Sequence, residues 1–184
     1  MLNEQEISEI IGRVRGRVEA VEGRDRTGPA LRAAAESAAL SSKLGNGIYT
    51  NIDEAIAAAR RAFLAYRDMG LEKRRVIVDA MRSAMLAEGE RLAYLAREET
   101  GLGRAEDKIL KNRLVTIRTP GPEDLDPQAV TGDSGMMVTE YAPYGVIGSI
   151  SPTTNPTSTV INNSIAIISA GNAVTFNVHP SAKD

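Results

Sequence analysis

Cysteine and tryptophan are absent from all 184 residues, and there is a single histidine. Without cysteine these residues hold no disulfide, no thiolate metal site and no thiol nucleophile. One histidine argues against a histidine-built metal site. Aromatic residues make up 4% of the chain, too few for a base-stacking surface. Lys and Arg (22) and Asp and Glu (24) nearly balance, for a net charge of −2. That leaves no basic field for nucleic acid or an anionic membrane. No apolar run approaches the ~18 residues that read as a bilayer span. Glu4, Glu6 and Glu9 stand where a secretory signal would be basic, and no long apolar core follows. The expected location is cytoplasmic. The remaining 42% hydrophobic and 25% charged residues are those of a soluble globular protein.

The N-terminal arm has its own pattern. Ile7, Ile10, Ile11, Val14, Val18 and Val21 recur at helical spacing on one face. Asn3 with Glu6 fits a capping box. The acidic start and the basic Arg13, Arg15 and Arg17 suit the helix dipole. Glu22 to Pro29 is a polar breaker stretch, followed by Ala-rich residues 30 to 40 and Gly45-Asn-Gly47. We expect an amphipathic helix over residues 1–22, a linker over 23–44, and a larger domain over 45–184. An isolated helix of this length is marginal in water, so its apolar stripe needs a partner. That partner is either its own domain or a sister subunit, or a groove on another protein.

The middle of the chain reads as four helices. The first opens at Asn51-Ile-Asp-Glu54, with Asp53 as N-cap, and runs through Ala55, Ile56, Ala59 and Phe63 to Tyr66. Gly70 ends that segment. The second spans Leu71 to Leu86, burying Val76, Ile77, Ala80, Met81, Ala84 and Met85. Gly89 marks a break before a third helix from Glu90 to Glu99. After the turn Thr100-Gly-Leu-Gly103 comes the fourth, Arg104 to Leu114. The Pro-rich stretch Thr119 to Pro127 is irregular and divides the helical half from a sheet half. Met136 to Gly145 fits a strand running into a turn, confined to an edge by Pro143.

Val146 to Ile150 is β-branched and apolar around one Gly, the pattern of a strand buried on both faces. Ser151-Pro-Thr-Thr-Asn-Pro156 follows at its carboxyl end, where open α/β sheets bind ligands. Pro156 holds Asn155 in an extended loop. Thr157 or Ser158 would cap a helix running to about Ala170, whose N-terminal N–H groups favour an anion. Gly171-Asn172 stops that helix. Ala173 to Phe176 is a second buried strand, with Asn177-Val-His-Pro180 on the same rim. Asn155 either braces its loop through local hydrogen bonds or donates its amide to an oxyanion. Asn162 and Asn163 read as partners of neighbouring elements, and His179 before Pro180 as a turn residue. No GxGxxG, Walker A or Ser-His-Asp set is present.

Taken together, several segments resemble the N-terminal portion of the aldehyde dehydrogenase superfamily. They are Thr100-Gly-Leu-Gly-Arg104, Glu106-Asp-Lys108 with Lys111-Asn112, Thr119 to Leu125, Thr131-Gly-Asp133, Gly145 to Ser149, Pro152-Thr-Thr-Asn-Pro156, Val160-Ile-Asn-Asn163, Ala170-Gly-Asn172 and His179-Pro180. The match is to the CoA-acylating branch, of the propionaldehyde and acetaldehyde type that works inside bacterial microcompartments. The resemblance covers about residues 45 to 184. It implies an α/β fold of aldehyde-dehydrogenase type: a partial Rossmann-like nucleotide-binding domain preceded by helices. It also implies the reaction aldehyde + CoA + NAD+ to acyl-CoA + NADH, through a cysteine thioester.

By the same resemblance Asn155 is the oxyanion-stabilising amide. Ser151, Pro152, Thr153 and Thr154 border the nicotinamide of NAD, and Asn177, His179, Pro180 and Ser181 border its adenosine end. Non-acylating members carry a Lys and a Glu at that end, where this chain has Asn177 and Pro180. Residues 3 to 21 resemble the signal that directs such enzymes into a protein shell, and a homo-oligomer is implied. Family members are longer, with their nucleophilic cysteine beyond position 184. The expectation is therefore that these residues are the front part of an enzyme and lack its catalytic domain. Two other readings stay open: a non-catalytic shell-targeting module, and a superfamily reductase acting on acyl phosphates.

Overall fold

The computed structural model describes residues 47–183. The expected helix of residues 1–22 and the linker 23–44 lie outside the described residues. The fold below is that of the compact unit that begins at Ile52.

Helix α1 (Ile52–Tyr66) carries Asp53 and Glu54 in its first turn. Asp53 is therefore inside the helix, where its charge suits the dipole, and is not the N-cap. Helix α2 (Leu71–Thr100) runs unbroken for 30 residues, joining the two helices expected on either side of Gly89. A helical Gly costs only about 1 kcal/mol against Ala, which packing outweighs. Gly89 is buried against Asn112 of α3 (Ala105–Arg118). Gly101 ends α2 in the left-handed region (φ 68°), its N–H donating to the Arg97 carbonyl.

The buried face of α2 is Val78, Gly89, Ala93 and Ala96. The expected face was rotated: Val76 is 64% exposed, and Ala80 and Ala84 are exposed too. The reason is visible in the stripe itself, because its small residues let α3 come close. Helix α3 also continues past the expected end at Leu114 to Arg118, and it buries Lys108, Asn112 and Thr116 while Leu110 and Leu114 are exposed.

A short 3₁₀ turn, Pro122–Asp124, interrupts the Pro-rich stretch expected to be irregular. Strand β1 (Gln128–Gly132), not anticipated, pairs antiparallel with β2 (Gly135–Thr139), with Val130 opposite Met137. Both strands are exposed throughout. A separate parallel pair joins β3 (Val146–Ile150) to β4 (Ala173–Asn177) through the crossover helix α4 (Pro156–Ser169). This is a βαβ unit, and the mixed α/β class expected from the sequence is borne out.

The expectation of strands buried on both faces fails here. Only Ser149 in β3 and Ala173 in β4 are buried, and Ile150 is 81% exposed. Among the described residues this sheet has two strands, so neither lies between two others. The core sits on the helical side. Ile161 and Ile165 of α4 close on Val78 of α2, flanked by Met85, Val115 and Ile168. Ile161, Ile165 and Ile168 follow the i, i+4, i+7 spacing of one helical face.

Candidate functional site

The parallel pairing of β3 and β4 puts both carboxyl ends on one rim. The Ser151 N–H donates to the Asn177 carbonyl at 3.0 Å, one step beyond the strands. This bond brings the loop Ser151–Asn155 beside the segment Asn177–Ser181, the two stretches singled out from sequence. At the opposite end the Gly145 N–H donates to Asn172 Oδ1 at 2.9 Å, and the Ala173 N–H to the Gly145 carbonyl at 2.9 Å. Asn163 Nδ2 donates to Ser149 Oγ (2.9 Å) and Asn162 Nδ2 to Thr119 Oγ1 (2.8 Å). Both asparagines therefore tie α4 to its neighbours.

Asn155 occupies the N-cap position of α4, with Pro156 as the first helical residue. Neither Thr157 nor Ser158 is the cap. Proline suits that first position because its missing N–H would be unpaired there anyway. An Asn at an N-cap usually turns its side-chain oxygen onto the second or third helical N–H. Asn155 makes no such bond. Its Oδ1 instead accepts from Lys111 Nζ at 2.6 Å, and its Nδ2 approaches Thr154 Oγ1 at 3.3 Å.

The loop is gripped by one face of α3. Residues at i, i+3 and i+4 share a helix face, and here they are Lys108, Lys111 and Asn112. Lys108 Nζ donates to the Thr154 carbonyl at 3.1 Å. Asn112 is 1% exposed. Its Oδ1 accepts from Thr157 Oγ1 at 2.9 Å and its Nδ2 donates to the Gly89 carbonyl at 2.9 Å. One buried amide thus connects α2, α3 and the first turn of α4. Lys108 is 8% exposed. Burial, with Lys111 and Arg97 nearby, holds its ammonium pKa below the usual value of 10.5.

Ser151 Oγ and Thr153 Oγ1 are buried and have no hydrogen-bond partner. Unpaired buried hydroxyls are costly, and a ligand carrying hydrogen-bonding groups would relieve that cost. Pro152, Thr154, His179, Pro180 and Ser181 are exposed on the rim. His179 Nδ1 accepts from the Ser181 N–H at 3.1 Å, and its carbonyl accepts from the Ala182 N–H at 2.9 Å. With Nδ1 accepting, the neutral ring carries its proton on Nε2. No group of three potential metal ligands occurs among the described residues.

Lys108, Lys111 and Asn112 belong to the segments that carry the family resemblance, but no role follows for them from the sequence. Their shared face was the available signal, yet polar residues at helical spacing usually mark a solvated face.

A βαβ unit with a polar Asn-Pro loop at its carboxyl rim has the arrangement in which open α/β sheets bind ligands. The family model described as "Aldehyde dehydrogenase family" matches residues 33–183, and the chain belongs to this family. It is 50% identical over 139 residues to the propanal dehydrogenase (CoA-propanoylating) of Citrobacter freundii, covering 76% of this chain and 30% of that protein. It is 45% identical over 137 residues to the acetaldehyde dehydrogenase (acetylating) EutE of Escherichia coli K12, covering 74% and 29%. Among solved structures, the Rhodopseudomonas palustris propionaldehyde dehydrogenase with bound propionyl-CoA superposes with a TM-score of 0.71 at 43% identity, covering 75% of this chain and 31% of that one. The propionaldehyde dehydrogenase of the Clostridium phytofermentans fucose utilisation microcompartment gives 0.70 at 43% identity, covering 74% and 31%. The resemblance to CoA-acylating members is borne out. The chain spans about 30% of the length of the curated relatives it matches.

Proposed function

We propose that this chain supplies the front of the nucleotide-binding domain of an NAD-dependent, CoA-acylating aldehyde dehydrogenase. The complete protein converts a short-chain aldehyde, CoA and NAD+ to acyl-CoA and NADH. Its nucleophile is a cysteine outside these residues. The observation that carries the reading is the Asn155 side chain, which stands at a helix start without capping it. Its oxygen is taken by Lys111, so the amide offers N–H. An N–H donor aimed at developing negative charge stabilises the tetrahedral oxyanion that forms when a thiolate adds to an aldehyde.

The orphaned hydroxyls of Ser151 and Thr153 suit a carboxamide-bearing ligand, and we assign them with Pro152 and Thr154 to the nicotinamide side. Asn177, His179, Pro180 and Ser181, on the same rim, are assigned to the adenosine end. NAD+, when bound, supplies the hydride acceptor. The chain's own task is to hold that cosubstrate on the rim and to place the Asn155 amide at the reacting carbonyl oxygen. One structural relative comes from a bacterial microcompartment, which favours reading the apolar stripe of residues 3–21 as a shell-protein docking helix. A homo-oligomer is proposed for the complete protein from the family resemblance alone.

The test is Asn155→Ala in the complete polypeptide. Loss of one oxyanion donor lowers kcat by roughly 10²-fold, read as NADH formation from aldehyde and CoA. Undiminished turnover would reduce Asn155 to a loop brace.

A further inference from the structure

The geometry points to Lys111 as a positioning residue that sets which end of the Asn155 amide faces the reaction. The inference rests on the oxyanion role proposed for Asn155.

A carboxamide can present either its oxygen or its NH₂, and only the NH₂ can stabilise an anion. The local backbone does not make that choice, because Asn155 (φ −139°, ψ 55°) lies outside the extended region in which an N-cap side chain usually bonds its helix. Lys111 makes it. Its ammonium has three donors and no acceptor, so the atom 2.6 Å away must be the amide oxygen. With Oδ1 held, Nδ2 is fixed on the other side of the group. One of its N–H bonds is directed to Thr154 Oγ1 at 3.3 Å, and the second has no protein partner among the described residues.

The ammonium also stands behind the amide dipole. Its charge polarises the carbonyl and strengthens the N–H as a donor. Lys111 can do this because α3 is locked to the loop on either side of it, through Lys108 to the Thr154 carbonyl and through Asn112 to Thr157. Lys111 is exposed, so its replacement leaves the core intact.

The experiment is a double-mutant cycle in the complete enzyme with Lys111→Met and Asn155→Ala. Freed from Lys111, the amide loses the hydrogen bond that orients it, and the usual net value of such a bond corresponds to about a fivefold to tenfold change in population. Lys111→Met should therefore lower kcat by about that factor while KM for aldehyde and for NAD+ stays within about twofold, the signature of an interaction made in the transition state. In the Asn155→Ala background Lys111→Met should cause no further loss, because its target is gone. An equal further loss in that background overturns the positioning role and leaves Asn155 as donor. So does a Lys111→Met variant with unchanged kcat or with its effect confined to KM. Unchanged kcat in Asn155→Ala overturns both readings.

Discussion

Asn112 is the point where the structure makes its sharpest demand on a single side chain. It is almost fully buried and makes two 2.9 Å hydrogen bonds, one to Gly89 on α2 and one from Thr157 on α4. Replacing it by Ala removes both. Each such bond contributes about 0.5–1.5 kcal/mol net, so the loss should be about 1–3 kcal/mol. The partners soften the blow. Thr157 is only half-buried and can turn to water, and the Gly89 carbonyl lies within a helix.

Asn112→Asp is the more telling variant. One carboxylate oxygen keeps the Thr157 bond, but the other faces the Gly89 carbonyl, acceptor against acceptor, in a site without a cation bonded to it. A buried charge left without a partner costs about 3–5 kcal/mol, so this near-isosteric change should exceed Ala. The sign of its pH dependence follows. Burial would raise the folded-state pKa of the introduced acid, and a protonated carboxyl restores the donor to Gly89. The deficit of the Asp variant should shrink as pH falls toward 4 and grow as pH rises. Urea unfolding of the complete polypeptide from pH 4 to 8 measures it. An Asp variant no less stable than the Ala variant at pH 8, or one whose deficit ignores pH, would refute the reasoning.

Lys108 gives a second pH test. Its folded pKa lies below 10.5, chiefly through burial and then through Lys111 and Arg97. The unfolded chain therefore binds more protons than the folded one between the two pKa values, and stability rises with pH there. The penalty is fully present below the folded pKa and is relieved as pH climbs to 10.5. Relative to Lys108→Met, the wild type should gain stability across that alkaline window; a flat difference would argue against a desolvated ammonium. For the N-terminal arm, residues 1–25 fused to a fluorescent cargo should gather in assembled shells, and diffuse cargo would remove the docking assignment.

What the sequence disclosed and what it hid follow from how strongly local chemistry binds the backbone. The place of the Asn-Pro loop was legible because a β-branched strand precedes it, but its backbone was not: Asn155 was expected to be extended before Pro156 and instead has ψ 55°. The α4 stop at Gly171 was legible, since its φ of 81° suits glycine. Strand β1 was not, because five exposed residues give no alternation of polar and apolar. Helix α3 gave no readable core face. It buries Lys108, Asn112 and Thr116 and exposes Leu110 and Leu114, the reverse of the usual pattern.

That reversal and the idle N-cap have one explanation. A polar helix face holds a polar loop, through Lys108 to Thr154, Lys111 to Asn155 and Asn112 to Thr157, and in that loop Asn155 has a backbone (φ −139°, ψ 55°) outside the usual capping region. Local rules usually agree in a protein that has only to fold, and their violation tends to collect at functional sites. Here the two violations meet at a single 2.6 Å contact, Lys111 to Asn155. Neither residue alone explains why a helix start should forgo a cap worth about 1 kcal/mol. The amide role proposed for Asn155 would account for it, since the Lys111 bond leaves N–H and not oxygen facing outward.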